Sequence, residues 1–141
     1  MHEKSLHQFN DFSVQEGLKL CFCLLSDMNE ICRKNKIDFL VVFIPSKVAV
    51  YSEHIITNPE IEHFHEFQQY IANEKRINSL LTKYCRQHHI RYLDSLPFLQ
   101  NKVSLEQVFP CDANTHPSSI GYRIIAGCIA QLINKDRMET D

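Results

Sequence analysis

The run Ile37-Asp-Phe-Leu-Val-Val-Phe-Ile44 constrains the fold more than any other stretch of the chain. A strand with one wet face alternates apolar and polar residues, and this run does not. Near-continuous β-branched and aromatic character is the mark of a parallel strand covered on both faces. Pro45 ends it, because proline removes a ladder donor. A parallel partner has to be reached by a crossover, and Ile90–Leu93, ending at Asp94, reads as that partner. Residues 60–88 between them read as a long helix with a candidate break at Asn73. Phe64, Phe67, Ile71, Ile77, Leu81, Tyr84 and Cys85 form its inward face. The crossover is expected to be right-handed.

Residues 13–35 read as a helix in front of the first strand. Val14, Leu18, Cys21, Leu25, Met28 and Cys32 recur at steps of three and four, and Leu20, Leu24 and Ile31 widen that face. Ser13 with Glu16 fits a capping box, and Asn35 suits the end. A helical or irregular stretch follows through His54, and residues 95–101 form one or two helical turns. Residues 103–116 read as loop. Residues 118–134 read as a last helix, with Ile124, Ile125, Cys128, Ile129, Leu132 and Ile133 inward, Ser118 or Ser119 as N-cap, and Pro117 blocking an earlier start. The expected organisation is a polar segment over 1–12, a single α/β domain over 13–134 and a polar tail over 135–141. Two strands make a poor sheet. The exposed strand pairs across a subunit interface, or short strands complete the sheet, or the chain supplies the second half of a larger fold.

Composition narrows the chemistry. The 141 residues contain three glycines, Gly17, Gly121 and Gly127, against roughly ten at average usage. A phosphate-cradling loop or dinucleotide fingerprint clusters its glycines where backbone amides are approached without a Cβ, and neither pattern is present. The formal net charge of -2 and the scattered lysines and arginines do not make a nucleic-acid footprint. Met1–Phe12 has no apolar core of a signal peptide, and Leu18–Leu25, broken by Lys19, is too short to span a bilayer. These features predict a cytoplasmic chain with no membrane or nucleic-acid partner. The six cysteines include no CxxC pair and read as buried free thiols, with Cys111 the one most exposed.

The candidate chemistry is concentrated in Val108-Phe-Pro-Cys-Asp112-Ala-Asn114-Thr-His116-Pro-Ser-Ser-Ile-Gly121-Tyr-Arg-Ile-Ile-Ala126. An acid, an amide and a histidine stand on a loop just before a helix. His116 is a candidate general base, and a carboxylate beside it would fix its tautomer. The plainer reading is a loop histidine supporting the helix start. Gly121 within a helical pattern lowers helix stability by about 1 kcal/mol and implies close packing.

This segment resembles the last conserved block of the SGNH (GDSL-type) hydrolases, where an acid and a histidine precede Pro, Ser or Asn, Gly and Ala at the final helix. Val41-Val-Phe-Ile-Pro45-Ser-Lys47-Val-Ala-Val-Tyr51 and Ile90-Arg-Tyr-Leu-Asp94 are similar to a strand-and-loop and to the last strand of such proteins. The likeness spans residues 15–134, and the 112–126 motif is its specific part. It implies a partial flavodoxin-like three-layer α/β sandwich with a small parallel sheet and flanking helices. It further implies an ester or acetyl-ester hydrolase, with His116 as base and Asp112 or Asn114 orienting it. The implied substrate is an ester or an acetylated small molecule or carbohydrate, with no cofactor and no metal.

The departures are as informative. No Gly-Asp pair occurs, so the Gly-Asp-Ser nucleophile block and the oxyanion-hole blocks are missing. Ala113 holds the usual acid position and Asn114 the alternative one, which leaves Asp112 four residues before His116. In serine proteases an amide in the acid's place lowers turnover about 10⁴-fold. The chain therefore reads as a degenerate or partial hydrolase, inactive alone or completed by a complementary N-terminal half. The competing reading is a non-catalytic α/β scaffold that forms a homo-oligomer through its strand edge. A third is a small enzyme using Cys111, paired with His116, or Ser46. Weaker candidates are a metal at His63, His65 and Glu66, whose spacing points the rings apart, and a contact of His88 and His89 with helix-end carbonyls. Phe64, Phe67 and Tyr70 read as packing residues.

Overall fold

The structure is a computed structural model that describes residues 9–112 and 114–138. Each strand is delivered by a long helix that ends in the same turn. Helix α1 (Phe12–Lys34) leads into strand β1 (Leu40–Phe43), and helix α4 (Phe64–Gln87) leads into strand β2 (Arg91–Asp94). At the end of α1, Ile37 N–H donates to Cys32 O at 2.9 Å and Lys36 N–H to Arg33 O at 3.2 Å. At the end of α4, Ile90 N–H donates to Cys85 O at 2.8 Å and His89 N–H to Arg86 O at 3.4 Å. Both are Schellman closures, which require a left-handed residue just past the cap. Lys36 (φ 57°) and His89 (φ 54°) take that conformation in place of glycine.

Strands β1 and β2 pair in parallel, with Leu40 opposite Arg91 and Phe43 opposite Asp94. The pairing is locked at its carboxyl end by buried Ser95, whose N–H and Oγ both donate to Phe43 O, at 3.2 and 2.7 Å. Between β1 and α4 lie two short helices, α2 (Lys47–Val50) and α3 (Ser52–Ile56). After β2 come α5 (Leu96–Gln100), a loop and α6 (Ser119–Met138). The result is a mostly helical α/β arrangement with a small parallel sheet packed against helices.

The core is built from Val50, Leu99, Val108, Phe109 and Ile125, with Val42, Leu96 and Ile124 packed against it. Val108 and Phe109 belong to the loop between α5 and α6, so that loop is anchored by apolar burial as firmly as any helix. Gly121 has the close-packing reason its sequence implied. A Cβ there would lie 2.4 Å from Val108 O.

Several expectations are corrected. The 37–44 strand is confined to 40–43 in the ladder, and all four of its residues are only half-buried. A two-stranded sheet cannot cover a strand on every side. Helix α4 runs unbroken through Asn73. Helix α1 is capped by Asp11, which accepts from Ser13 N at 2.8 Å, while Glu16 pairs with Lys19 instead of closing a capping box. No residue of α1 is buried. It rests on α4 through Tyr84, whose ring stacks on Phe22 at 4.5 Å and whose hydroxyl meets Ser26 Oγ at 2.5 Å. Cys21 and Met28, expected in the core, are exposed together with Leu20, Leu24 and Ile31. The thiols divide accordingly: Cys85 and Cys128 are buried, whereas Cys21, Cys23 and Cys111 are exposed.

At the ends, residues 1–8 of the expected polar segment and 139–141 of the expected tail lie outside the described residues. Phe9 is buried beneath the Arg76 guanidinium, 3.9 Å from its ring centre. Helix α6 continues to Met138, into the stretch expected as tail. Among the described residues no helix is long and apolar enough to cross a membrane.

Candidate functional site

The loop from α5 to α6, which carries His116, is held at three points. Burial of Val108 and Phe109 fixes its middle. Lys47, at the start of α2, donates from Nζ to Pro110 O at 2.6 Å and to Asp112 O at 2.9 Å. At the far end Ser118 donates from N to Val108 O at 2.9 Å and from Oγ to Gln107 O at 2.7 Å. The same Oγ accepts from Gly121 N at 3.2 Å, so Ser118 is the residue that caps α6.

Two successive Asx turns then set the backbone. Asp112 Oδ1 accepts from Asn114 N at 2.8 Å, and Asn114 Oδ1 accepts from His116 N at 3.0 Å. The structure thus strings together the three candidate residues, but through side chain and main chain. Among the described residues neither Asp112 nor Asn114 hydrogen-bonds the His116 imidazole. All three are exposed. Ala113, which holds the usual acid position, lies outside the described residues.

His116 borders a cleft of about 490 Å³ at the carboxyl end of β1. Phe43, Ile44, Pro45 and Ser46 form one wall, Tyr70, Glu74 and Ile77 of α4 another, and Thr115, Pro117 and Tyr122 the third. Carboxyl ends of parallel strands are where α/β proteins collect ligands, because loops converge there and helix starts point inward. Ser46 and Glu74 are bound to each other at this place. Ser46 N–H donates to Glu74 Oε1 at 2.9 Å and Ser46 Oγ to Oε2 at 2.5 Å. Ser46 Oγ also accepts from Ala49 N at 3.1 Å, which makes it the N-cap of α2. A hydroxyl engaged on both sides in this way has a sufficient structural role, and a carboxylate is a weak base for activating it.

Glu74 was not singled out by its sequence, although a signal existed. It stands three residues from Ile71 and three from Ile77, so it is an acid set into the apolar stripe of α4. Lys47 and Tyr122 carry no such signal, since their contacts are made across the fold.

The remaining candidates fall elsewhere. Cys111 Sγ accepts from Gln107 Nε2 at 3.1 Å and makes no bond to His116 among the described residues. His63 is left-handed (φ 61°) and lies 3.3 Å from Glu66, while His65 meets Phe64 edge-on. Among the described residues no group of three or more ligating side chains is assembled for a metal. The His88 ring stacks on Tyr84 at 4.1 Å, and it is the His88 backbone N–H, not the ring, that satisfies a helix-end carbonyl. Elsewhere, burial pushes the Cys85 and Cys128 thiols up. The Tyr92 phenol is pushed up to about 12 by burial, with the nearby Asp94 carboxylate adding to it.

Comparisons with known proteins return no relationship. No family model matches the chain, no curated protein matches it, and no solved structure matches it.

Proposed function

We propose that this chain is a degenerate or partial SGNH/GDSL-like hydrolase domain, related to ester or acetyl-ester hydrolysis and without turnover on its own. The observation that carries the reading is the position of His116. It is an exposed histidine on the loop between α5 and α6, bordering the cleft at the carboxyl end of β1 and two residues before the cap of the final helix. Under this reading the sheet is the C-terminal part of a flavodoxin-like three-layer sandwich. His116 stands where a serine's proton acceptor would stand, with Asp112 or Asn114 in the orienting place. The engagement of both side chains by backbone N–H groups fits a site that has lost its acid and kept its loop. The substrate class is an ester or an acetylated small molecule or carbohydrate, and a complementary N-terminal half would supply serine and oxyanion hole.

The test is a titration with a short-chain aryl ester and an acetylated sugar, followed by NMR, beside a turnover assay. Shifts centred on Ser46, Tyr70, His116 and Tyr122, weakened in His116→Ala, are expected without His116-dependent hydrolysis. No shift around this cleft at millimolar ligand would remove the reading. His116-dependent turnover by the chain alone would overturn its inactive part.

The two-stranded sheet favours a second reading. Among the described residues β1 and β2 are the only strands, so each keeps one open edge. A non-catalytic α/β scaffold self-associating through such an edge accounts for this without any chemistry.

A further inference from the structure

Helix α1 carries more apolar surface than the described residues cover. Its half-buried side carries Val14, Leu18, Phe22 and Leu25, and Phe22 stacks on Tyr84 of α4. A second stripe beside it stays bare: Leu20, Leu24, Met28 and Ile31 are 62, 52, 49 and 60 % exposed. The stripe keeps a seven-residue register, since Gly17, Leu24 and Ile31 stand seven apart, as do Cys21 and Met28. That repeat is the pattern of a helix seam facing another helix. Gly17 lies on the same arc, and a Cβ there would meet nothing within 4 Å. Nothing among the described residues therefore calls for a glycine, which weakens a helix by about 1 kcal/mol relative to alanine.

We infer that α1 is the contact surface for a second copy of this chain, with the two α1 helices packed antiparallel about a twofold axis near residues 25 and 26. Self-complementarity carries the choice of partner. About that axis Leu20 falls opposite Ile31 of the partner subunit, and Leu24 opposite Met28 of the partner subunit, so the stripe matches itself residue for residue. Charge agrees with the orientation. Glu16 stands in the second turn of α1, and Arg33 and Lys34 stand in its last turn. Glu16 already pairs with Lys19 and Lys34 with Glu30 within the helix; an antiparallel copy sets Glu16 within one turn of Lys34 of the partner subunit at both ends and joins these pairs across the seam, while a parallel copy sets Glu16 beside Glu16 of the partner subunit. At half to two-thirds exposure, the four large side chains present on the order of 400 Å² per chain. That is the apolar centre of a standard interface, which covers about 800 Å² per partner. A patch of this size matches the largest apolar patch of a typical monomer, about 300–600 Å², which is often functional. The inference needs neither the hydrolase reading nor the strand edge.

Sedimentation of the full chain under reducing conditions tests it. The expected species has twice the 16.5 kDa chain mass at micromolar concentration. Leu24→Glu, which puts a charge into the apolar stripe beside the axis at an exposed site, is expected to give the single-chain mass with unchanged circular dichroism. Leu105→Glu, at an exposed apolar position in the turn after α5, should leave the dimer intact. Glu16→Lys and Lys34→Glu should each raise the dissociation constant several-fold, and the double reversal should restore it. A wild-type monomer at all concentrations overturns the proposal. So does a dimer indifferent to Leu24→Glu, which would point to the strand edge. A double reversal no better than either single one overturns the antiparallel orientation.

Discussion

Replacing Gly121 by alanine sets two effects against each other, and the structure decides the sign. Helix propensity alone favours Gly121→Ala by about 1 kcal/mol. The new Cβ would sit 2.4 Å from Val108 O and 2.9 Å from Pro117 Cβ, where ordinary contact begins near 3.4 Å. Helix α6 must therefore retreat by about 1 Å from a loop whose Val108 and Phe109 side chains are in the core. Such overpacking costs about 1–3 kcal/mol. The retreat also stretches the bond from Ser118 N to Val108 O, worth about 1 kcal/mol. The net expectation is a loss of about 1–3 kcal/mol, which for a chain of this size lowers Tm by about 4 °C per kcal/mol. Urea denaturation followed by circular dichroism measures it. Gly127→Ala is the internal control: it lies in the same helix, its Cβ would meet nothing within 4 Å, and it should gain up to about 1 kcal/mol. If Gly121→Ala is as stable as the wild type, or if both variants move the same way, the proposed contact between α6 and the loop is wrong.

Three further outcomes can be checked. Lys36→Gly and His89→Gly should each raise stability by about 0.5–1 kcal/mol, because the left-handed penalty outweighs the extra freedom of the unfolded chain; a fall in Tm would contradict the assigned helix closures. Lys47→Met should speed amide hydrogen exchange at Asn114 and His116 about tenfold, for a loss of about 1.4 kcal/mol of clamping, while the helix amides stay protected. Tyr92 should make the fold sensitive to alkali. Its folded pKa of about 12 lies above the unfolded value near 10, so its contribution is complete below pH ~10 and is lost as pH rises towards 12. Tyr92→Phe should flatten that decline, and an unchanged alkaline transition would show that another group governs it.

The long elements were legible because their signals are local. The apolar run before Pro45, the three- and four-residue recurrence in α4 and α6, and the serine after Pro117 each name an element through its own residues. Asn35 was readable as the end of α1. The closures by Lys36 and His89 were not, because a left-handed lysine or histidine carries none of the sequence mark that glycine would. The site was half legible. His116, Asp112 and Asn114 drew attention as a loop cluster, yet their consecutive Asx turns could not be read from spacing alone. Glu74 was passed over although an acid within an apolar stripe is a visible anomaly.

Periodicity and turn chemistry set which segments are helix and strand, since those depend on neighbours within a few residues. Burial was decided only when the chain closed on itself. The same pattern that made α1 a helix predicted a buried face, and among the described residues half of that face is bare, with Tyr84 of α4 the ring that Phe22 stacks on. Conversely, Val108 and Phe109 stand in a loop, and the packing of α5 and α6 around them made that loop part of the core. Local sequence specifies which surfaces are apolar, but coverage needs a partner surface, and that comes from residues far away in the chain.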